Sequence, residues 1–271
     1  MEYFDLMVRK ELLMLKVVNC ACRLIDAFKF RQNQIVRECM DKAVNAKGKE
    51  NTAVIILNAP SVKKQDLTVL SKFDLVFVNR GFLHPDYKVL HPKYHIICDP
   101  KFRTGVWPIT WVDEILAMVP DITFVLPIEW RDVPALSRLK NSNIKICWMR
   151  LKDKPYSPFV AGYAIQFLMS LKYETIYFTG CEANGIGHEL VKDTSHFYGT
   201  NSENSIKTSD DYIMDFYMYF CNYSYFKKIA KISAKKGVCI INLTIGGCLD
   251  MFKREVFPML NITEVSAKQK P

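Results

Sequence analysis

The sequence predicts an α/β protein: a Rossmann-like α/β/α sandwich with a mainly parallel sheet of about seven strands, preceded by an N-terminal helical segment. From residue 53 onward, short apolar runs rich in β-branched residues alternate with segments of helical period. Strands that are apolar almost without interruption are typical of parallel sheets covered by helices on both faces. The 271 residues, 49% of them hydrophobic, suffice for one such domain with a large core and not for two equal ones.

Residues 1–48 are predicted to be the helical segment, as one long helix or two shorter ones. Within residues 3–45 an apolar stripe recurs at helical spacings, with charges between its members: Leu6, Leu13, Val17, Cys20, Leu24 and Phe28. We expect the stripe to pack on the main domain or on a second copy of the chain, which would give a homo-oligomer. A helix lying on a membrane surface is the alternative.

Residues 46–52 form the predicted linker, so we expect the α/β domain to span residues 49–260 and a tail to span 261–271. Seven apolar runs are predicted strands: 53–58, 74–79, 94–98, 122–126, 144–149, 175–180 and 238–243. Five segments between them are predicted helices: 63–71, 111–118, 131–140, 159–171 and about 208–235. The carboxyl ends of parallel strands meet at one edge of a sheet, where open α/β folds bind ligands.

Charge and cysteine content restrict the partners that the chain can have. The formal net charge is +9, and residues 221–271 carry nine Lys or Arg against three Asp or Glu. This basic end suits anionic lipid head groups, a phosphorylated substrate or simply solvent; nucleic acid ranks lowest, because no nucleic-acid-binding motif is present. The nine cysteines, an odd number without a C-x-x-C pair, are typical of a reduced, cytoplasmic protein. We expect a cytoplasmic location, either free or peripheral on the inner membrane face.

Polar residues and glycines follow five of the predicted strands: Asn58-Ala59-Pro60-Ser61, Asn79-Arg80-Gly81, Asp99-Pro100, Gly180-Cys181-Glu182, and the segment from Asn242 to Gly247 that contains Thr244. Together they predict a ligand site. The first turn lacks G-x-G-x-x-G and the P-loop pattern, which disfavours a dinucleotide cofactor and the P-loop nucleotidases. We expect Asn58 to hydrogen-bond a nucleotide and Ala59 to let it approach the backbone. Ser61 is expected to cap a helix that opens after Pro60 and faces an anion.

The segment Thr194-Ser195-His196-Phe197-Tyr198-Gly199 places a histidine among small polar and aromatic residues. Imidazole titrates near neutrality, so His196 is the candidate general base, and a hydrogen-bonded structural histidine is the alternative. His188 is the weaker candidate. The remaining histidines, His84, His91 and His95, are interpreted as structural.

These motifs and their order resemble the bacterial sialyltransferases of glycosyltransferase family 42. The resemblance covers roughly residues 52–254 and is carried by Asn58–Ser61, Phe73–Asn79, Tyr94–Pro100, Tyr173–Glu182 and Thr194–Gly199. It extends to a broader sialyltransferase-like group that includes the hydroxymethylpterin pyrophosphokinase-like family, whose members often end in a segment like Asn242–Leu249. The fold that the resemblance implies is a variant of the GT-A glycosyltransferase fold.

The resemblance also implies roles for named residues. Asn58, Ser61 and Asn79 would contact the nucleotide of a sugar donor, with Asp99 nearby. His196 would take the proton of the acceptor hydroxyl as this oxygen attacks the anomeric carbon with inversion, while Ser195 and Tyr198 orient the ring or bind the leaving phosphate. The predicted nucleotide-binding set is completed by Ala59, Ser157, Gly180, Glu182 and Thr244. No bound cofactor and no metal ligand are predicted, because no D-x-D clamp follows a strand.

The function that follows is transfer of a sugar, most plausibly a CMP-activated acidic sugar such as a sialic acid or a related ulosonic acid, onto a bacterial surface glycan or glycolipid (lipopolysaccharide, O-antigen or capsule). Two alternatives stay open: an Mg²⁺-dependent pterin pyrophosphokinase-like transferase using Asp99 and Glu182, and a non-catalytic nucleotide-sugar-binding module. Only thirteen residues separate Glu182 from His196, where the sialyltransferases carry a longer lid with phosphate-binding tyrosines. Lys192 or His188 is expected to neutralise the phosphate instead.

Overall fold

A computed structural model of the chain describes residues 2–47, 51–140, 142–151, 159–191, 193–199 and 207–257. Its centre is one sheet with the strand order β5-β4-β3-β2-β1-β6-β7-β8. The strands are β1 (Thr52–Ile56), β2 (Asp74–Val78), β3 (Tyr94–Ile96), β4 (Thr123–Pro127), β5 (Ile146–Met149), β6 (Thr175–Thr179), β7 (Cys239–Asn242) and β8 (Lys253–Arg254). All neighbouring pairs run parallel. The predicted fold class and all seven predicted strands are confirmed, and β8 adds a short edge strand.

The helices are α1 (Glu2–Ala27), α2 (Phe30–Ala46), α3 (Tyr87–Leu90), α4 (Pro100–Thr104), α5 (Trp111–Met118), α6 (Ser137–Lys140), α7 (Val160–Ser170), α8 (Gly185–Leu190) and α9 (Ser209–Lys235). The helices predicted at 111–118, 159–171 and 208–235 are confirmed, and the N-terminal segment forms two helices. In the described ranges, no helix combines the length and the apolar character that crossing a bilayer requires.

Two predicted helices are wrong. In place of a helix at 63–71 the chain forms two 3₁₀ turns, Pro60–Lys64 and Leu67–Leu70. The extended residue Gln65 separates them, because its buried amide donates to the carbonyl of Leu243 (3.0 Å) and accepts from the hydroxyl of Thr179 (2.6 Å). In place of the helix at 131–140, the 3₁₀ turn Pro134–Leu136 precedes the single turn of α6, since proline interrupts the hydrogen-bond ladder.

Alternate residues of the strands belong to two hydrophobic cores, one on each face of the sheet. Ala53 and Ile55 of β1 belong to the core that α7 and α9 cover, whereas Val54 and Ile56 belong to the core covered by α5 and the 3₁₀ turns. The period of two that produces this division is a property of any strand, and burial on both faces explains why the strands are apolar throughout. The molecule is therefore a three-layer sandwich around the sheet.

The two N-terminal helices lie on the β5 side of the sheet. Leu15 of α1 and Ala43 of α2 are buried in the core beneath α7 and α9. Beyond the end of β5, the buried guanidinium of Arg150 donates to Asp26 (2.8 Å) and to Gln32 (2.6 Å). The division of the chain at residue 48 and the tail at 261–271 stay predictions.

One expectation about α1 is wrong: the predicted apolar stripe does not pack on the main domain. Leu6, Leu13, Val17, Leu24 and Phe28 are all more than half exposed, and Cys20 is exposed as well. The helix carries apolar residues on two faces, and it is the face opposite the stripe, with Leu15 and Asn19, that is buried against the domain.

Candidate active site

A cleft of about 270 Å³ opens at the carboxyl edge of the sheet, above the ends of β1, β2, β3 and β6. Among its lining residues are nine of the twelve residues that the sequence predicted for a site: Asn58, Ala59, Asn79, Asp99, Gly180, Glu182, Ser195, His196 and Tyr198. The structure thus brings together residues that are up to 140 positions apart in the chain.

The floor of the cleft is the paired ends of β1 and β6. The amide N–H of Ala59 donates to the carbonyl of Gly180 (3.0 Å), which extends the strand pairing by two residues into the turn. Gly180 has φ +69°, and a Cβ at this position would lie 2.5 Å from Cγ1 of Val62 and 2.6 Å from the carbonyl oxygen of Leu57. Because such distances are not tolerated, only glycine allows the two strand ends to approach this closely.

Two asparagines brace the neighbouring strand ends. The buried amide of Asn58 donates to the carbonyl of Val78 (3.2 Å), and Oδ1 of Asn79 accepts from the N–H of Cys98 (3.3 Å). Asn79 is in the left-handed region with φ 47°. Asn58 Oδ1 is buried and has no hydrogen-bond partner among the described residues. Each asparagine therefore uses part of its hydrogen-bonding capacity to hold the strand ends in place.

A fully buried histidine supports Asn79 from below. His95 Nε2 lies 2.8 Å from the carbonyl oxygen of Asn79, and Nδ1 lies 2.8 Å from the hydroxyl of Tyr87. Burial lowers the pKa of His95 to about 4, so the ring is neutral at pH 7. Since a carbonyl only accepts, Nε2 carries the proton and Nδ1 accepts from Tyr87. These contacts agree with the structural role predicted for His95.

His196 is positioned by its two neighbours in sequence and by the end of β1. Its Nδ1 lies 3.0 Å from Oγ of Ser195, and its ring stacks on Tyr198 at 4.9 Å with an interplanar angle of 15°. The N–H of Phe197 donates to the carbonyl of Asn58 (2.8 Å), and the buried Phe197 ring packs edge-on against His84. The segment is therefore fixed to the first strand end, and the imidazole is held at the wall of the cleft.

Three carboxylates also line the cleft, and each has a partner. Asp99 caps α4 by accepting from the N–H of Lys101 (2.9 Å), and Glu189 pairs with Lys207. Glu182 accepts from the N–H of Ser61 (3.0 Å). Among the described lining residues there is no Lys or Arg. The described wall is thus rich in negative charge.

His188 lies between two carboxylates. Its Nδ1 is 3.0 Å from Oδ2 of Asp193, and its Nε2 is 3.7 Å from Oε2 of Glu182. A protonated His188 would therefore reduce the negative charge at this end of the cleft. Lys192, the other residue expected to neutralise a phosphate, lies outside the described residues.

Two of the remaining predicted site residues, Ser61 and Thr244, do not line the cleft. Ser61 does not cap a helix, which is a correction: the 3₁₀ turn begins after Ala59 without a side-chain cap, and the N–H of Ser61 already binds Glu182. Thr244 is buried behind the wall, where its hydroxyl accepts from the N–H of Cys181 (3.1 Å). Ser157 lies outside the described residues. The direction of these side chains depends on turn geometry that the sequence pattern does not contain.

Sequence reasoning missed the aromatic wall of the cleft and the arginine behind it. Phe159 and Tyr219 line the cleft with their rings 5.0 Å apart, and the Tyr219 hydroxyl accepts from the N–H of Ile186 (2.7 Å). The guanidinium of Arg80 lies 5.6 Å from the ring centre of Tyr198 and within 5.5 Å of two tryptophan rings, Trp107 and Trp111. The one feature of the sequence that could have indicated Arg80 is its position directly after Asn79, at the end of a predicted strand.

Within the described part of the chain, no group of three or more His, Cys, Asp or Glu side chains lies close enough together to hold an ion. That the site works without a metal or cofactor stays a prediction.

Comparison with known proteins finds solved sialyltransferases from Campylobacter jejuni. One is CstII in complex with a substrate analogue, cytidine-5'-monophosphate, with a TM-score of 0.46 and 13% identity over 82% of this chain and 98% of that one. Another is an alpha-2,3-sialyltransferase in apo form, with a TM-score of 0.46 and 14% identity over 82% of this chain and 94% of that one. They belong to the class of enzyme that the sequence motifs resemble. At these values the likeness does not determine what this chain binds or which reaction it performs.

No family model matches the chain, and no curated protein matches its sequence.

Proposed function

We propose that the cleft binds the nucleotide part of a sugar donor and that His196 acts as general base for transfer of the sugar to an acceptor hydroxyl. The observation that carries this proposal is the position of the imidazole: it lines the same cleft as the ends of β1, β2 and β6, and Ser195 holds its Nδ1 side. A cleft at this edge of a parallel sheet is the usual ligand site of the architecture.

The proposed reaction is a single displacement. The acceptor O–H gives its proton to Nε2 of His196 while the acceptor oxygen forms a bond to the anomeric carbon. The bond between that carbon and the phosphate oxygen breaks on the opposite side, so the configuration inverts and the nucleotide leaves as a phosphate anion. The stacked Tyr198 keeps the ring in position, and the hydroxyl of Ser195 can accept from Nδ1–H in the tautomer that leaves the lone pair on Nε2.

The donor that we propose is a CMP-activated acidic sugar, and the acceptor is a bacterial surface glycan or a glycolipid. The motifs that resemble the sialyltransferases support this choice. Cytoplasmic location and peripheral membrane contact are also proposals, and self-association through α1 and α2 is the alternative to the membrane contact.

The charge of the cleft favours a second candidate. Asp99 and Glu182, two carboxylates without a Lys or Arg beside them in the described lining, are the residues that an Mg²⁺-dependent pyrophosphoryl transfer would need. This alternative predicts that ATP binding requires Mg²⁺.

A thermal-shift series distinguishes the candidates. The protein is heated with CMP, UDP, GDP or ATP, each with and without Mg²⁺, because a ligand that binds the folded state raises the melting temperature. We expect CMP to stabilise it without Mg²⁺. If ATP stabilises the protein only together with Mg²⁺, the result would contradict the proposal and support the pyrophosphokinase-like alternative.

A His196→Ala variant tests the role of the base. We expect CMP to stabilise the variant as it does the wild type, while sugar transfer falls by roughly two to four orders of magnitude, the usual contribution of a general base. His91→Ala is the matched control, because His91 is exposed and contacts Asp121 away from the cleft. Full transfer by His196→Ala would contradict the mechanism, and the absence of transfer in the wild type would favour a binding module.

A further inference from the structure

The outward face of α1 is an exposed apolar ridge. The ridge consists of Leu6, Leu13, Val17 and Leu24, which lie on one side of the helix at 100° per residue, and of Phe28, which follows directly after the helix. Each is exposed by more than half, up to 75% for Phe28. The buried residues Leu15 and Asn19 lie on the opposite side of α1.

The ridge is long as well as apolar. The 26 residues of α1 span about 39 Å at the α-helical rise, and exposed apolar side chains recur along this whole length. An exposed apolar surface of this extent is typical of a docking site, because a free soluble surface rarely carries one.

A second feature lies along one flank of α1. The α1–α9 groove has a volume of about 770 Å³ and an apolar floor that includes Leu12, Phe220, Tyr223 and Met251. Its rim carries five lysines and a single carboxylate, Asp250; the lysines are Lys16, Lys227, Lys228, Lys231 and Lys235. Apolar floor and cationic rim together match an amphiphile with an anionic head.

Three lysines of this rim are available to a partner. Lys16, Lys227 and Lys231 make no ion pair with any residue that the structure describes. Two carboxylates of α1 already form ion pairs with other residues, Asp5 with Arg9 (2.7 Å) and Asp26 with Arg150 (2.8 Å). The flank of the ridge is therefore positively charged.

This charge decides between the two partners that an apolar helix face can have. In a symmetric dimer the same patch meets itself, so a second copy would bring five lysines of each chain to one interface with a single rim carboxylate of each, Asp250, to match them. A bilayer that contains anionic lipids offers hydrocarbon for the ridge and phosphates for the lysines.

We propose that the ridge and the α1–α9 groove dock the protein on an anionic phospholipid membrane. The ridge side chains enter the boundary between head groups and acyl chains, and the groove lysines contact the lipid phosphates. Lys10, which is exposed on the same side of α1, reaches the head groups by extending its long side chain. This inference does not depend on the reaction in the cleft.

Vesicle flotation of the full chain tests the proposal. The wild type is mixed with vesicles of phosphatidylcholine alone or with vesicles that also contain phosphatidylglycerol. We expect binding to the anionic vesicles only. A Leu13→Glu/Val17→Glu variant should not float with either, and a Lys227→Gln/Lys231→Gln variant should bind roughly 30-fold more weakly, since each lysine near an anionic surface contributes about one kcal/mol.

The control variant is Lys63→Gln/Lys88→Gln, which removes two exposed lysines far from the groove and should bind like the wild type. Circular dichroism of each variant checks that the fold is kept; the substituted side chains are all exposed, so melting temperatures should stay close to that of the wild type. Equal binding to neutral vesicles, or no binding by the wild type, would overturn the proposal. A wild-type dimer in light scattering that Leu13→Glu/Val17→Glu dissociates would assign the ridge to a second copy instead.

Discussion

At the scale of single residues, the imidazole of His196 is the last member of a row of stacked groups. Its ring lies on Tyr198, and Tyr198 in turn contacts the guanidinium of Arg80, which also lies against two tryptophan rings. A cation over an aromatic face contributes about 0.5 to 2 kcal/mol. The orientation of the proposed base therefore depends on a side chain that does not line the cleft itself.

The close approach of two strand ends at Gly180 gives the first prediction. Gly180→Ala should lower the free energy of unfolding by about 3 kcal/mol or more, because the new methyl group would overlap Val62 and φ is positive. Urea denaturation measures the change.

Gly105→Ala is the matched control for this substitution. Gly105 also has positive φ, +81°, but nothing lies within 4 Å of a Cβ there, so a cost of only about 1 kcal/mol is expected. Equal losses in the two variants would show that the packing between β1 and β6 is looser than described.

At the scale of elements, the attachment of the helical pair to the sheet depends on one arginine. Arg150 is buried and binds two carboxylates from different elements, Asp26 of α1 (2.8 Å) and Glu129 after β4 (3.2 Å). Arg150→Met should destabilise the fold by about 2 to 3 kcal/mol, since the buried cation that bridges the two carboxylates would be lost, although Asp26 would keep its pair with Lys29 (2.8 Å).

Arg138→Met serves as the control for this element-scale prediction. Arg138 forms its pair with Asp113 on an exposed surface, so its removal should destabilise the fold much less than the removal of Arg150. The comparison is made by chemical denaturation at neutral pH. A loss for Arg150→Met no greater than that for Arg138→Met would mean that the helices are attached by apolar packing alone.

The strands could be predicted from sequence because burial on both faces leaves an unbroken apolar run, as in Ala53–Ile56. The edge strand β8 could not, because its two residues, Lys253 and Arg254, are exposed and have no β pattern. The apolar residues of segment 63–71 have helical spacing, yet no α-helix forms there because the hydrogen bonds of the buried Gln65 side chain interrupt the segment. Tertiary hydrogen bonds of this kind are not visible in a periodic pattern.

At the scale of the whole molecule, much of the candidate site follows from the topology. Asn58, Asn79 and Gly180 meet because parallel strands end at one edge of the sheet. The sequence predicted a parallel sheet, and the proximity of these residues follows from that prediction. The aromatic wall could not be anticipated, because Phe159 and Tyr219 come from helices whose position over that edge depends on packing. The same holds for the exposed ridge, since amphipathic spacing alone does not say which face is covered.

The buried His95 gives a prediction for the pH dependence of stability. Its pKa is about 4 in the folded protein, whereas an unburied histidine in the unfolded chain has a pKa of 6.5. Below pH 6.5 the unfolded chain therefore takes up a proton that the folded chain does not. Stability should therefore fall as the pH drops from about 6.5 to about 4, by about 3 kcal/mol from this group at the lower end.

Denaturation curves at several pH values check this prediction, with His95→Gln as the comparison. The variant is less stable at neutral pH, because glutamine does not reproduce both hydrogen bonds, but it should lack this part of the pH slope. Parallel slopes for the two proteins would show that His95 is protonated in the folded state.

The long helix α9 joins two regions that are otherwise far apart, because Tyr219 walls the cleft and Lys231 lies on the groove rim. Twelve residues of continuous helix separate them, about 18 Å along the axis. With four lysines of α9, from Lys227 to Lys235, facing the same bilayer as α1, this helix would lie along the lipid surface and hold the cleft beside the docked groove. An acceptor anchored in that membrane would then meet the cleft from the side, by diffusing within the bilayer.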